Sequence, residues 1–295
     1  MFKSFLGDIT PLNPHWERVK LDSENYIIKF CQLSQRAAEK VRQCDFTYCC
    51  AIVYPHAPLD KFRTVSDWGN WVFPFDDRFD EGELGTDVQG ARLEMDSLMS
   101  HLTESMEHYR HGVLTQVGRA ARGDTPNKLE EMLRTRTQSI AGWPMYVLVE
   151  YAHGLNIPSD VFEHEVIKDL QQLAFDMIAI CNDIISYRKE EMDAMPHNMV
   201  ARCRINGLSA QQAFEMVGTM LDGRIARWDE SLSRLPSWGS QVDPQVEEYI
   251  EAIRNLVRAN LRYSFRGERY FGKEAAEVQK TRQLVVCAYP PYQNV

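Results

Sequence analysis

Asn182-Asp183-Ile184-Ile185-Ser186-Tyr187-Arg188-Lys189-Glu190 closes a long segment whose apolar residues recur at helical spacing. The periodicity predicts a helix over roughly 166–191, with this stretch as its C-terminal part. At about 100° per residue, Asn182, Ser186 and Glu190 share one face and offer an amide, a hydroxyl and a carboxylate oxygen in a row. That is a ligand set for a hard cation. Traced backwards, the same row reaches Ile178 and Ala174. A polar mouth over an apolar floor suits an amphiphilic substrate.

Outward from this helix the pattern stays helical almost from end to end, with no convincing alternating strand, repeat or low-complexity linker. The spacing predicts helices over 23–42, 44–54, 66–79, 89–119, 127–140, 145–153, 198–206, 209–235 and 244–263. Stops are read at Pro55, Gly123-Asp124-Thr125-Pro126 and Gly142-Trp143-Pro144. The class is all-α. No composition shift separates two cores, so the chain 1–295 reads as one domain, with an N-terminal segment over 1–20 and an irregular C-terminal tail over 273–295.

The second chemical stretch is Phe73-Pro74-Phe75-Asp76-Asp77-Arg78-Phe79-Asp80, at the end of the predicted 66–79 helix. Asp76 and Asp80 are four apart and face the same way, with Asp77 at the edge of that face. Val72 and Trp68 continue the row backwards, with Phe73 beside it. Oxygen ligands without His or Cys suit magnesium rather than zinc, and magnesium held by few carboxylates expects phosphate oxygens to complete its shell.

Composition narrows the classes. A net charge of −9 opposes a nucleic-acid partner, so any phosphate must be held locally. Seven cysteines without metal spacing read as reduced thiols of a cytoplasmic protein. Met1 to Trp16 lacks the basic and apolar regions of a secretory signal, and no apolar run approaches membrane-spanning length. The 44% hydrophobic content is ample for a large core.

With two such motifs in one all-α chain, the sequence resembles a class I terpene synthase, most of all the fungal, basidiomycete-type sesquiterpene synthases. Residues 182–190 match the family's NDxxSxxKE motif at every fixed position, and Asp76-Asp77-Arg78-Phe79-Asp80 matches DDxxD. Arg269-Tyr270 resembles the family's late Arg-Tyr pair, and Arg136 stands upstream of Asn182 where the family keeps a diphosphate-sensing arginine. Tyr263 replaces a frequent Trp six residues before the Arg-Tyr pair, and Ser139-Ile140-Ala141-Gly142 departs from the commoner pattern after the sensor, with Ile140 at the offset of the carbonyl that assists ionisation.

The resemblance implies a helical bundle around a deep apolar cavity. It implies three Mg2+ ions on Asp76, Asp80, Asn182, Ser186 and Glu190, with Asp76 ahead of Asp77 and Asp80. Arg136, Lys189, Arg269 and Tyr270 would grip the diphosphate of a prenyl diphosphate. Phe73, Phe79, Trp143, Phe175 and Tyr263 are the candidate cavity aromatics. The activity it implies is ionisation and cyclisation of farnesyl diphosphate to a C15 hydrocarbon or alcohol. Cyclases of other chain length, a chain-elongating prenyltransferase and a non-catalytic helical protein stay as alternatives. Taken alone, an acidic helix end is ordinarily a solvated face, Arg188 and Lys189 suit a helix C-terminus, Arg134 competes with Arg136, and the aromatics would be core.

Overall fold

The computed structural model describes residues 4–80, 82–99, 107–124, 126–140, 143–266 and 268–288, and no strand occurs among them. The helices in chain order are α1 (Trp16–Phe30), α2 (Gln35–Cys44), α3 (Phe46–Val53), α4 (Leu59–Asp80), α5 (Val88–Met99), α6 (Glu107–Ala121), α7 (Leu129–Ser139), α8 (Trp143–His153), α9 (Ser159–Glu163), α10 (Glu165–Met192), α11 (Met199–Ile205), α12 (Ala210–Ser233), α13 (Asp243–Ser264) and α14 (Ala275–Thr281). The all-α class is the observed one.

α10 is the axis. It starts where the His164 side chain accepts from the Val166 N–H, and Leu170, Ala174, Met177, Ile180 and Cys181 are fully buried along it. Each large apolar side chain buried this way contributes about 1.5–3 kcal/mol. α7, α11, α12 and α13 pack around it, while α3 and α4 complete the wall on the far side of α13. A second apolar cluster, including Phe75, Phe79, Met95, Tyr109 and Val113, joins α4 to α5 and α6. No helix among the described residues is long and apolar enough to cross a membrane, and the seven cysteines are free thiols.

Two helices begin seven residues early, α1 at Trp16 within the segment read as N-terminal and α4 at Leu59 directly after Pro58, and three further elements differ in kind. The predicted 23–42 helix is two helices: Gln32 adopts φ 49°, and the Ser34 hydroxyl then accepts from the Ala37 N–H to start α2. A single left-handed residue turns the chain without disturbing the apolar period. The predicted 89–119 helix is also two. Arg110 Nε donates to Asp96 Oδ1 at 2.9 Å, whereas fourteen residues of one helix would hold them about 21 Å apart, so α5 and α6 run antiparallel. The tail is not irregular throughout, since a 3-10 turn at Gly272–Glu274 leads into α14 before a stretch without regular structure over 282–288.

Pro74 lies inside α4. Its missing N–H leaves the Asn70 carbonyl without its helical donor, one turn below the aspartates.

Candidate active site

The ends of α4 and α10 come together at the mouth of a cavity of about 140 Å³. Asp76, Arg136, Asn182, Glu190, Arg269 and Tyr270 stand at its polar end. Along α4 the lining descends through Phe73 and Val72 to Gly69; along α10 it descends from Asn182 through Ile178 to Phe175. On a helix seven residues are about 10 Å, so both walls reach two turns below the mouth. α3 contributes Cys49, Cys50 and Val53, and α13 contributes Tyr263.

The polar end is already a network. Arg136 is 6% exposed, and donates from Nε to Asp183 Oδ1 and from Nη2 to Asn182 Oδ1, both at 3.0 Å. Asn182 Nδ2 donates to the Tyr270 hydroxyl at 3.1 Å. Asn198, the N-cap of α11, donates from Nδ2 to Glu190 Oε2 at 2.9 Å and to the Asp183 carbonyl at 2.8 Å, with Ser186 Oγ at 3.4 Å. Asp76 Oδ1 accepts from the Tyr109 hydroxyl at 2.7 Å. Asp77 turns to Arg269, with Lys40 Nζ at 2.7 Å on its other side.

Charge follows the geometry. Burial alone would raise the Asp77 carboxyl, but Arg269 and Lys40 outweigh it and hold Asp77 well below the usual carboxylate range. Glu190 goes the other way: burial raises it, and Asp183 adds to the rise despite Arg136, Asn198 and Ser186. His197, on the turn before α11, is pushed down to about 3 by burial and by the nearby Arg136 and Arg119 guanidiniums.

Among the described residues no three His, Cys, Asp or Glu side chains converge as a metal cage. The oxygen donors that line the polar end are Asp76, Asn182 and Glu190, only two of them carboxylates, with Ser186 behind Glu190 on the same helix. A buried glutamate that burial drives toward its neutral form is a group that a cation would stabilise as the anion. The site therefore fits a hard divalent cation whose shell is completed by other oxygens.

The site residues expected from sequence divide as follows. Asp76, Arg136, Asn182, Glu190, Arg269, Tyr270, Phe73, Phe175, Tyr263 and Ile140 line the cavity; Ser186 is buried behind the lining and shares the Asn198 amide with Glu190. The exposed Arg134 is not the partner of the α10 residues; Arg136 is. Lys189 is half-buried on the same helix and is not part of the lining. The side chains of Asp80 and Trp143 lie outside the described residues.

Phe79 is a correction. It is 2% exposed in the α4–α5–α6 cluster, because it stands one turn after Phe75 and shares that residue's side of α4, which α5 and α6 cover. Trp68 likewise packs against that cluster and Trp71, and Ala174 sits in the core.

Asn198, Tyr109, Lys40, Cys49, Cys50 and Gly69 have no site role in the sequence reading, and Asp183 enters it only as a fixed position of the 182–190 motif. Asn198 carried a signal as a helix-capping residue; the others pair only through tertiary packing.

Known proteins share the fold and the family. The family model described as terpene synthase family 2, C-terminal metal binding, matches residues 91–227. The chain is 30% identical to a (+)-eremophilene synthase of Gibberella fujikuroi over 99% of its own length and 92% of the relative's. It is 32% identical to a silphinene synthase of Penicillium patulum, covering 96% of this chain and 88% of that one. A protein named sesquiterpene synthase 1 from Postia placenta is 28% identical over 93% of this chain and 90% of its own. The crystal structure of an α-eudesmol synthase, 22% identical, superposes with a TM-score of 0.72 over 87% of this chain and 96% of that one. The fold is that of the class I terpene synthases, and the chain belongs to the terpene synthase family.

Proposed function

We propose that this protein is a magnesium-dependent sesquiterpene synthase that ionises farnesyl diphosphate, cyclises the farnesyl cation to a C15 hydrocarbon or alcohol, and releases diphosphate. The observation that carries the reading is one convergence. Asn182 and Glu190 of α10 and Asp76 of α4 line the polar end of a cavity whose body is apolar, together with Arg136, Arg269 and Tyr270, and Ser186 stands between Asn182 and Glu190 on α10. The family resemblance and the Postia placenta relative, named sesquiterpene synthase 1, support the fifteen-carbon substrate. The same reading takes residues 1–295 as one catalytic α-domain.

Asp76 with Asp80, and Asn182, Ser186 and Glu190, would hold the ions, three by family resemblance. Bound Mg2+ supplies the positive charge that neutralises the leaving diphosphate as the carbon–oxygen bond breaks. Arg136, Arg269 and Tyr270 at the polar end would donate hydrogen bonds to the same leaving group, with Lys189, outside the lining, a fourth donor by family resemblance. Arg136 is preorganised for this, since Asp183 and Asn182 fix its guanidinium at the mouth. The electron pair of the broken bond leaves with the diphosphate, and a carbocation stays in the cavity. Phe73, Tyr263 and Phe175 line that cavity, and aromatic rings attract cationic carbon as they attract ammonium groups. Phe73 is held for that task by stacking on Phe46, ring centroids 4.2 Å apart and 6° from parallel.

The test is incubation of the purified protein with farnesyl diphosphate, with and without magnesium, followed by gas chromatography and mass spectrometry. A magnesium-dependent C15 hydrocarbon or alcohol other than farnesol is the expected product. Turnover of geranyl or geranylgeranyl diphosphate in its place, or farnesol alone, would overturn the substrate or the cyclisation.

A further inference from the structure

Glu190 and Glu191 are neighbours in the last turn of α10, yet they serve different surroundings. Glu190 lines the cavity; Glu191 is 1% exposed and belongs to a buried ion pair on the other side of the helix. Helix α11 holds both. At its start Asn198 donates to Glu190 Oε2 at 2.9 Å, and near its end Arg204 donates from Nη1 to Glu191 Oε1 at 2.6 Å. Tyr187, one turn earlier on α10 and fully buried, accepts from Arg204 Nη1 at 3.0 Å and donates to Glu191.

The remaining partners of this pair come from the far end of the chain. Arg204 Nη2 donates to the carbonyls of Cys287 and Ala288 at 2.9 and 3.0 Å, and the Cys287 N–H donates to Glu191 Oε2 at 2.8 Å. These are backbone groups, so the side-chain pattern of the tail gives no hint of them. Leu284 and Val286 pack against the main core while Val285 is 84% exposed, which makes 282–288 a strap lying over the ends of α10 and α11. A buried ion pair is weak evidence for stability, and its best-attested use is to fix one arrangement among several. Here the arrangement fixed is the orientation of α10's last turn.

We propose that the C-terminal strap, through Arg204 and Glu191, is a positioning element that holds the Glu190 carboxylate in the attitude needed to bind a divalent cation. The inference rests on the functional reading above for the cation's role, and on the strap's own hydrogen bonds for the mechanism. Without the strap, Arg204 loses two acceptors and Glu191 a donor, water reaches the pair, and the last turn of α10 frays. Glu190 then samples several orientations before a cation can bind. Groups that orient a metal ligand in this way typically govern affinity by tenfold or more.

Two variants test it in the otherwise complete protein: Cys287→Pro, which deletes a single N–H, and a chain ending at Gln283. Amide hydrogen exchange of the metal-free protein is expected to show faster exchange over 186–192 in both, with α12 unchanged. Calorimetric titration with Mg2+ and inorganic diphosphate is expected to show binding weakened by about tenfold. Wild-type exchange and wild-type affinity in both variants would overturn the proposal. So would loss of helical circular dichroism in both, which would make the strap a general scaffold. A wild-type protein that binds Mg2+ and diphosphate but yields no product from farnesyl diphosphate would sink the functional reading and leave the strap's role standing.

Discussion

Arg269 and Asp77 clasp one another across 192 residues of sequence: Nη1 lies 3.1 Å from Oδ2 and Nη2 lies 2.6 Å from Oδ1. The preceding residue, Asp76, lines the cavity instead and takes a hydrogen bond from Tyr109. Two adjacent carboxylates of one motif are thus divided between the reacting end and a bidentate ion pair that fastens the segment after α13 to α4. Both partners of the pair are nearly buried, at 11% and 13% side-chain exposure. Asp77→Ala is therefore expected to cost about 3 kcal/mol, because it strands a buried guanidinium. Urea unfolding of Asp77→Ala, Arg269→Leu and the double variant measures this. Singles no less stable than wild type would show that the clasp is not structural.

Asn198 should be sensitive to charge as well as to loss. Asn198→Asp keeps the oxygen that accepts from the Val200 and Ala201 N–H groups, so the cap of α11 survives. It replaces the donor to Glu190 by a second carboxylate. The expected outcome is a folded but destabilised protein, since the new carboxylate is buried against Glu190 and the Asp183 carbonyl, whose magnesium requirement is changed at least tenfold. Unaltered magnesium dependence would remove Asn198 from the site.

Gly69 is a buried glycine in the middle of a helix, where it costs about 1 kcal/mol relative to alanine. A Cβ there would meet Cys50 Sγ at 2.7 Å, and both residues line the cavity. Gly69→Ala should therefore push Cys50 aside and change the product mixture. Gly69→Ala combined with Cys50→Ala should restore much of the original profile. Identical chromatograms for the single variant and wild type would place the floor of the reacting volume elsewhere.

Phe73 and Phe79 offer a matched contrast six residues apart on α4. Phe73 faces the cavity; Phe79 is sealed under α5 and α6. Phe73→Leu is expected to alter the product spectrum with a small stability cost. Phe79→Ala is expected to lose about 3–5 kcal/mol and, at temperatures where it stays folded, to leave the spectrum unchanged. Thermal unfolding alongside product analysis of both variants checks the contrast, and the reverse pattern would contradict it.

His197 predicts an acid sensitivity. Its native value is depressed to about 3, whereas an unfolded histidine titrates near about 6.5. Below that value the unfolded chain binds a proton that the native protein refuses. The stabilisation is thus complete above pH ~6.5 and is lost as pH falls toward 3, by at most about 1.4 kcal/mol per pH unit. His197→Gln should flatten this slope between pH 6.5 and 4 in urea unfolding. An equally steep slope in the variant would assign the acid sensitivity to other groups.

The sequence by itself determined the class and the chemistry. Helical period was visible because apolar residues repeat every three or four positions, and the Asn182, Ser186 and Glu190 ladder was visible because four-residue steps share a helix face. Both signals are local, and local geometry is written into spacing. The same reasoning failed where one residue redirects the chain, as at Gln32, and where an antiparallel hairpin keeps the period of a single helix, as in α5 and α6. It also misplaced Phe79, since spacing gives the angle around a helix but not which neighbours cover each side. Only the tertiary structure decided that Asp77 serves Arg269 while Asp76 faces the cavity, that Gly69 lets α3 come close, and that backbone groups of Cys287 and Ala288 close the ion pair beneath Glu190. Those relationships join residues up to 192 positions apart. They depend on how whole helices pack, and no spacing along the chain records it.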